Sequence, residues 1–311
     1  MIDMLPLNIT VRVDVPATTA NLGAGFDALG LALAIYNTVE GRLGVGPSVL
    51  EVEGEGAELL NRAEDNLVLR AARSLFQHIG QRPPSLHLRC LNRIPVTRGL
   101  GSSAAAAVGG LLVANELAGA PLERNEILQL AVQWEGHGDN VAAALYGGLT
   151  VACQTEERTY AVAVPVKGDI QAVLVIPDRP MSTGESRAIL PDTVTRADAV
   201  HNIQRTALIV AALQAGQLEM LSEAMKDRLH QPYRANLLPG FYPAIDAARQ
   251  AGAYGASLSG SGSTLIALTS AELSKRVSDA MQAALQEAGV SSRSRIVPVD
   301  RDGAKVTRLP Q

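Results

Sequence analysis

A glycine-rich loop that runs directly into an alanine-rich segment constrains the fold of this chain more than any other feature. The stretch "RGLGSSAAAA" runs from Arg98 to Ala107, and the apolar segment continues to Leu117. A helix N-terminus offers unpaired N–H groups and the positive end of the helix dipole, and adjacent glycines let the backbone approach an anion. Because the alanine side chains are small, such a helix can pack closely on a sheet. The pattern predicts a helix on a sheet, with an N-terminus that has the groups needed to bind an anion.

The loop is not a common P-loop. That pattern, G-x-x-x-x-G-K-[ST], requires a lysine after its second glycine, and no lysine follows Gly101. Ser102 and Ser103 instead add hydroxyls in the first turn, where they can cap the helix or bind Mg²⁺. From these residues alone, a glycine turn with a serine cap is favoured over a phosphate-binding loop, and both interpretations stay open.

The rest of the chain alternates between strand-like and helical patterns. Strands are predicted over 9–15 (ended by Pro16), 31–43, 85–94, 149–155, 160–166, 169–177 and 294–299, with a strand–turn–strand unit over 255–269. Helices are predicted from the opening loop to 117 and over 67–79, 122–136, 139–148, 197–215, 218–230, 242–251 and 272–289. The fold class is therefore α+β. Two halves meet near residues 155–170, which divides the chain into residues 1–166 and 167–311.

Composition argues against several classes of function. The net charge of −4 is opposite to the basic stripe that a nucleic-acid surface needs. There is no apolar run of about 18 residues and no signal-peptide pattern, so we expect a cytoplasmic protein with neither a membrane nor a nucleic acid as partner. Only 3% of the 311 residues are aromatic, so aliphatic side chains must build the core. Cys90 and Cys153 lie in apolar or strand-like runs and are expected to be buried free thiols.

Two further stretches, like the opening one, combine closely spaced glycines with small side chains. They are "VPATTANLGAGFDALGLAL", residues 15–33, and "GASLSGSGSTLIAL", residues 255–268. With "PVTRGLGSSAAA" they resemble the three motifs of the GHMP kinase superfamily, in its order and at its spacing. "EGHGDNVAAALYGGL", "MSTGESRAILP" and "HQPYRANLLPG" are similar to segments of the homoserine kinases in that superfamily. Gly138 and Ala24 depart from prolines that are common there, which loosens two loops without replacing a chemical group.

The resemblance implies a two-domain fold and a nucleotide site. The N-terminal half would resemble the second domain of ribosomal protein S5, the C-terminal half would be ferredoxin-like, and ATP would lie between them. The residues implied around the triphosphate are Pro95, Val96, Thr97, Arg98, Gly99, Leu100, Gly101, Ser102, Ser103, Ala104 and Ala105. Ser102 and Glu135 would bind Mg²⁺, although Glu135 on its own could be an exposed glutamate at a helix end.

The substrate implied by the resemblance is L-homoserine, which presents an ammonium, a carboxylate and a hydroxyl. The residues implied to recognise it are Asn21, Asp27, His137, Arg187 and Arg234. Taken singly, these could be turn residues, a structural hydrogen-bonding histidine and surface charges. Thr183 would lie near the reacting hydroxyl.

The residues implied for catalysis are Thr183, Arg187 and Asp139, and the general base is left open. Asp139 lies in the loop that supplies a base in some members of the superfamily. We favour the alternative that Asp139 orders this loop. In that case alignment, Mg²⁺ and the Thr183–Arg187 region suffice, and the proton passes late to phosphate or water.

Two alternatives to this function remain. A mevalonate or isoprenoid-alcohol kinase would make poor use of residues suited to an amino acid. A non-catalytic nucleotide-sensing relative would be expected to lack groups that are present here. The resemblance also implies a homodimer and inhibition by threonine, neither of which follows from the residues themselves.

Overall fold

Two β-sheets organise the chain in the computed structural model, which describes residues 9–61 and 65–310. The first sheet contains β1 (Ile9–Ala20), β2 (Leu29–Leu43), β3 (Val49–Gly54), β4 (Leu86–Asn92), β5 (Leu149–Gln154), β6 (Thr159–Val164) and β11 (Lys305–Pro310). The second contains β7 (Gln171–Pro177), β8 (Gly255–Leu258), β9 (Leu265–Thr269) and β10 (Ser292–Pro298). The main path of the first sheet runs β11-β1-β2-β4-β3, with β5 and β6 extending it from β2, and the second runs β10-β7-β9-β8. The α+β class is confirmed.

Helices cover the faces of these sheets. They are α1 (Ala57–Leu60), α2 (Leu67–His78), α3 (Ser102–Leu117), α4 (Arg124–Glu135), α5 (Asp139–Tyr146), α6 (Thr183–Ala188), α7 (Arg196–Ala215), α8 (Leu221–Ala224), α9 (Gln231–Arg234), α10 (Phe241–Gln250) and α11 (Ser274–Glu287). Short 3₁₀ turns lie at Leu218–Met220 and Ala235–Leu237. Among the helices of the described residues, none has the length and apolar character needed to cross a membrane.

The alanine-rich helix α3 packs on the first sheet as its small side chains predict. Most of its residues are buried, and it contacts β1 and β2 on one side and α2 on another. A Cβ added at Gly109 would press against Val39 of β2, and one added at Gly110 would collide with the backbone of Val68 in α2. The close approach therefore depends on residues without large side chains.

The first strand differs from its prediction. Pro16 does not end β1, which continues to Ala20 with a shift of register between Pro16 and Ala17. Proline has no N–H to donate to a neighbouring strand. A residue at a bulge stands outside the regular hydrogen-bond ladder, so a proline there costs the sheet no bond. The continuation matters because it carries the chain directly to Asn21 at the pocket described below.

The predicted helix over 218–230 is also wrong beyond Ala224. The carboxylate of Asp227 accepts bonds from the backbone N–H groups of Leu229, His230 and Gln231. A side chain that satisfies the backbone in this way competes with helix formation. The chain therefore makes a tight loop where apolar spacing alone predicts a continuous helix.

Several exposed elements were not predicted. β3 has a single buried residue, Val52, and the described part of β11 is largely exposed, so neither shows a strong apolar alternation. Cys153 is exposed at the end of β5, which corrects the expectation of two buried thiols, whereas Cys90 is buried and its burial raises its thiol pKa to about 12. Because β3 and β11 lack a clear apolar alternation, periodicity could not identify them as strands.

The hydrophobic core runs from one half of the chain into the other. Along β7, Ala172 and Leu174 belong to the same cluster as the first sheet, while Val173 and Val175 face α10 and α11. The second sheet is therefore buried on both faces. The division into residues 1–166 and 167–311 stays a prediction, and β11 is a part of the second range that lies in the first sheet.

Candidate active site

A pocket of about 220 Å³ gathers most of the residues singled out from the sequence. Its lining includes Asn21, Asp27, Pro95, Val96, Thr97, Arg98, Gly99, Leu100, Gly101, Ser102, Ser103, Glu135, His137, Asp139, Thr183, Arg187 and Arg234. Ala104 and Ala105 do not line it, because both are fully buried inside α3. Segments more than 200 residues apart along the chain therefore converge on one site.

The glycine loop at the start of α3 has the geometry of an anion site. Gly99 and Gly101 have φ values of 72° and 68°, and a Cβ at Gly101 would collide with the Oγ1 atom of Thr18. The N-cap of α3 is Gly101, with no side-chain capping bond, and Ala105 N–H is the helix donor that reaches back to it. The first-turn N–H groups are thus free of a serine cap, which removes the alternative of a capped glycine turn.

The turn between β8 and β9 holds this loop in place. Ser259 Oγ donates to the carbonyl oxygen of Gly99 at 2.6 Å, and Thr264 N–H donates to that of Arg98 at 3.2 Å. The Arg98 guanidinium in turn donates to the carbonyl oxygens of Pro177 at 3.0 Å and Asp178 at 2.7 Å. The side chain of Arg98 therefore anchors the pocket loop to the end of β7 in the second sheet.

Glu135 at the end of α4 faces the start of α3. Its Oε2 atom accepts a bond from Ser103 Oγ at 2.9 Å. The sequence resemblance paired Glu135 with Ser102, and the structure brings the next serine to it. Burial raises the pKa of Glu135, and the Ser103 bond lowers it in part. A half-buried carboxylate whose nearest partner is a neutral hydroxyl is suited to a cation.

The donor set at this point fits Mg²⁺. The described residues contain no group of three or more His, Cys, Asp and Glu side chains arranged around a metal ion. Mg²⁺ needs no such group, since it keeps several waters and takes one or two protein oxygens together with substrate phosphates. The Glu135 carboxylate and a serine hydroxyl offer oxygens of this kind beside the anion loop.

His137 and Asp139 form a hydrogen-bonded pair where α4 passes to α5. Nδ1 of His137 lies 2.9 Å from Oδ1 of Asp139, which also accepts from Asn140 N–H at 2.7 Å. The bond to Asp139 raises the pKa of His137, although burial opposes it. Asn140, which sequence reasoning missed, lines the pocket and accepts from Thr18 Oγ1 at 2.7 Å.

Asp27 and Arg187 face each other at the pocket. The two guanidinium Nη atoms donate to the two carboxylate oxygens at 2.9 and 3.0 Å. Asn21 supports Asp27, because its Oδ1 accepts from Asp27 N–H while its Nδ2 donates to the Gly260 carbonyl. Asn21 and Asp27 also have positive φ values of 75° and 57°, so they are turn residues and pocket residues at once.

Arg234 is, with Asp139, one of the two most deeply buried charged side chains that line the pocket. It is only 2% exposed, and burial lowers its pKa to about 10. Its Nε donates to the Ser186 carbonyl at 3.1 Å, and its Nη1 to the Gly260 carbonyl at 3.2 Å. Arg234 is therefore no surface charge. Thr183 Oγ1 lies in the same pocket on α6, 3.4 Å from Ser261 Oγ.

Three further residues in or beside the pocket were not found from the sequence: Ser261 lines it, and Phe26 and His230 contact its arginines. Phe26, His230 and Ser261 lie within the quoted segments but carry no pattern of their own. The His230 ring stacks on Phe26 with the ring centroids 4.9 Å apart. An aromatic ring and a histidine inside a glycine-rich or proline-containing segment are indistinguishable from core residues until their neighbours are known.

Comparison with known proteins places this geometry among small-molecule kinases. The family "GHMP kinases N terminal domain" matches residues 66–148, and "GHMP kinases C terminal" matches residues 209–287. A homoserine kinase of Microchaete diplosiphon is 45% identical over 296 residues, covering 95% of this chain and 96% of that protein. One of Desulfitobacterium hafniense is 45% identical over 297 residues, covering 95% and 99%. The crystal structure of homoserine kinase from Cytophaga hutchinsonii superposes with a TM-score of 0.87 at 30% identity, covering 99% and 100%.

Proposed function

The chain belongs to the homoserine kinases of the GHMP kinase family, and from that membership we propose that it transfers the γ-phosphoryl group of ATP to the hydroxyl of L-homoserine. The products are ADP and O-phospho-L-homoserine, a step in threonine biosynthesis. The observation that carries the proposal is the meeting, in one pocket, of an uncapped helix N-terminus with the Asp27–Arg187 pair. The first suits a triphosphate, and the second matches the ammonium and carboxylate of an amino acid.

The triphosphate would lie on the loop Pro95–Ser103 and the first turn of α3. Phosphoryl transfer depends mostly on positioning and on neutralising charge, and free backbone N–H groups with a helix dipole provide both. Ala104 would take part only through its backbone N–H, since its side chain is buried. Ala105 N–H is already bonded to Gly101, so it supports the loop without facing the anion.

Glu135 and the neighbouring serines would hold Mg²⁺. The 2.9 Å contact with Glu135 favours Ser103 over Ser102 as the hydroxyl ligand, and ATP oxygens and water would complete the set. When bound, the ion supplies charge neutralisation at the γ-phosphate. The chain's own contribution is a half-buried carboxylate directly beside the anion loop.

Homoserine would replace one ion pair with two. In the structure the Asp27 carboxylate and the Arg187 guanidinium neutralise each other, and both side chains are more than a third exposed. The substrate ammonium would bond to Asp27, with Asn21 beside it, and the carboxylate would bond to Arg187 and Arg234. His137 lines the same pocket as a further polar contact. Because exposed ion pairs are weak, the exchange costs little.

The transfer itself needs an oxygen nucleophile in line with the γ-phosphorus. The homoserine hydroxyl, placed near Thr183, forms the new P–O bond while the bond to the β-phosphate oxygen breaks, and ADP leaves. We propose that the proton passes late to phosphate or water, because Asp139 already bonds to His137 and to its own α5 backbone. An Asp139→Asn variant whose kcat fell about a thousandfold at unchanged KM would refute this and make Asp139 the base.

Three further features rest on the family resemblance alone. They are a homodimer, inhibition by threonine and a cytoplasmic location. They are part of the proposal on that footing.

A substrate comparison tests the function. ADP formation is measured with Mg²⁺, ATP and either L-homoserine or mevalonate at millimolar concentration, and only homoserine is expected to be turned over. Arg187→Ala is expected to raise the KM for homoserine at least about tenfold, since a charge-assisted bond is lost. Arg249→Ala is the matched control, because the salt bridge of that exposed α10 arginine is with Asp246, outside the pocket. Absence of homoserine turnover would refute the proposal.

A further inference from the structure

His230 is a buried histidine for which the reaction described above has no role. It is 0% exposed and precedes the short helix α9. Both of its ring nitrogens are engaged: Nε2 lies 2.8 Å from the carbonyl oxygen of Gly23, and Nδ1 lies 3.2 Å from Nη1 of Arg234. The ring therefore connects the first pocket loop to the arginine proposed to bind the substrate carboxylate.

The two partners fix the protonation state of this ring. A carbonyl oxygen can only accept, so Nε2 carries the hydrogen, and a guanidinium can only donate, so Nδ1 must be the acceptor. His230 is consequently neutral. Burial lowers its pKa, in agreement with the geometry, although the Asp227 carboxylate, 3.6 Å from Nε2, opposes this in part. A protonated ring would turn an N–H toward the Arg234 guanidinium and lose the bond.

The bond that Arg234 donates to His230 completes the fixation of its guanidinium. The Ser186 and Gly260 carbonyls accept from Nε and Nη1, and His230 adds a side-chain acceptor to these two backbone ones. Arg234 is one of the residues that line the pocket. Within residues 9–61 and 65–310, no protein group accepts a bond from its Nη2 atom. Nε and Nη1 of the guanidinium are thus held by the protein, and Nη2 is left for a ligand.

Phe26 links the same histidine to both arginines. The His230 ring stacks on it at 21°, and the guanidinium carbons of Arg234 and Arg187 lie 5.3 and 5.9 Å from its centroid. Contacts of this kind stabilise a cation over an aromatic face. The side chain of His230 therefore helps to hold the Phe26 ring, which both guanidinium groups contact.

We propose that His230 is a positioning residue for recognition of the substrate carboxylate: its neutral ring holds Nη1 of Arg234 so that the remaining Nη2 group is free to bind the carboxylate. The inference rests on the proposed function, because homoserine supplies the carboxylate. It adds to that function a residue that does not itself touch the substrate. It predicts that His230 affects the choice between a substrate with a carboxylate and one with a neutral carboxamide more than it affects phosphoryl transfer.

The kinetic test compares L-homoserine with L-homoserinamide, in which a neutral carboxamide replaces the carboxylate. His230→Phe keeps the ring and its stacking but removes the acceptor. It is expected to lower the ratio of kcat/KM values, homoserine over the amide, by about tenfold or more, mainly through the homoserine KM, with the ATP KM within about twofold. His230→Gln, whose amide oxygen can still accept, is expected to lose less. Equal losses on both substrates would mean a merely structural role and would overturn the proposal.

A double-variant cycle checks that the effect passes through Arg234. Arg234→Lys alone is expected to lower the same ratio, and adding His230→Phe is expected to change it by less than about twofold more, because the two residues act as a unit. Independent, multiplicative losses would overturn the proposal. His201→Gln is the control, since that half-buried histidine of α7 does not line the pocket.

A measurement without turnover separates this proposal from the function. In protein with ¹⁵N-labelled histidine, His230 is expected to show protonated Nε2 and unprotonated Nδ1, and its Nδ1 resonance is expected to shift in Arg234→Lys. An unshifted resonance would overturn the positioning role even in an active enzyme. Failure of the wild type to phosphorylate homoserine would refute the proposed function, and the Nδ1 shift would still decide whether His230 holds Arg234.

Discussion

At the scale of single residues, two carboxylates in the pocket differ in how fully the protein compensates their charge. Asp139 is 2% exposed but accepts bonds from His137 and from the Asn140 backbone. Glu135 accepts a bond from Ser103 alone among the described groups, and its pKa is raised by burial. An ionised Glu135 without a metal ion therefore destabilises the fold, which is the cost of keeping a carboxylate ready for a cation.

Glu135→Gln is expected to remove activity while leaving the protein at least as stable without Mg²⁺. The folded state binds this proton more tightly than the unfolded state, so the wild type loses stability as the pH rises from 4.5 through the raised pKa. The variant does not titrate there, and its advantage in Tm should grow over that range and persist at higher pH. Thermal unfolding with and without Mg²⁺ measures it. A Tm well below that of the wild type at neutral pH would contradict the electrostatic cost.

The two serines of the loop can be separated by alanine variants. Ser103→Ala is expected to lower kcat/KM for Mg²⁺–ATP by about tenfold or more, because the hydroxyl beside Glu135 is lost. Ser102→Ala, one residue earlier, is the matched control and is expected to have the smaller effect. Titration of the rate with Mg²⁺ locates the defect. The reverse order of effects would indicate that Ser102 is the metal ligand, as the resemblance implied.

The residue level also shows what a sequence can predict. The site residues carried by quoted segments, such as Asp27 and Arg234, were found to line one pocket, with the buried Ala104 and Ala105 as the exceptions. Their partners were not predictable, because the Asp27–Arg187 and His230–Arg234 contacts depend on how the fold turns these side chains toward each other. The serine that contacts Glu135 could not be chosen for the same reason, since the choice depends on the rotation of α3 relative to α4.

At the scale of elements, the pocket depends on how β1 and α3 are brought together. β1 continues past Pro16, so that Thr18 lies against the loop before α3, and Thr18 N–H donates to the Leu100 carbonyl at 3.1 Å. The alternation of apolar residues predicted β1 as far as Val15, and the glycine loop with its alanine-rich run predicted α3. The bulge, the Asp227 loop and the exposed strands β3 and β11 were missed, because local hydrogen bonds or partners far along the chain determine them.

Gly101→Ala is expected to damage the loop beyond the cost of a left-handed conformation. Gly289→Ala is the matched control, because Gly289 has a φ of 76° and an added Cβ would meet no atom within 4 Å there, whereas a Cβ at Gly101 meets Thr18. The control should lose about 1 kcal/mol of unfolding free energy, and Gly101→Ala more, with a raised KM for ATP. Denaturant unfolding and kinetics measure both. Equal losses and an unchanged KM would contradict the crowding at Gly101.

At the scale of the whole molecule, one strand joins the end of the described chain to its beginning. β11 pairs with β1 from Ile9 opposite Pro310 to Asp14 opposite Lys305. The hydrophobic core is likewise shared between the two sheets. The sequence predicted the order of elements well, but a boundary near residue 166 gave no sign that β11 lies in the first sheet.

Removal of residues 305–311 is expected to lower the Tm by roughly 5 °C or more, because β1 would then have an unpaired edge. A synthetic peptide of residues 304–310 is expected to restore the Tm by adding the strand back. A peptide with the same composition in scrambled order is the control. A truncated protein that unfolds at the wild-type temperature would show that β11 contributes nothing to the sheet.

The pairing of Ile9 with Pro310 also has a consequence for how the molecule folds. The contacts that complete the first sheet join residues about 300 positions apart, and contacts of such long range are slow to form. β1, whose end supports the anion loop, therefore gains its outer neighbour only after β11 has been synthesised. During synthesis, the Ile9–Asp14 part of β1 would keep one open edge until the last strand of the sheet emerges.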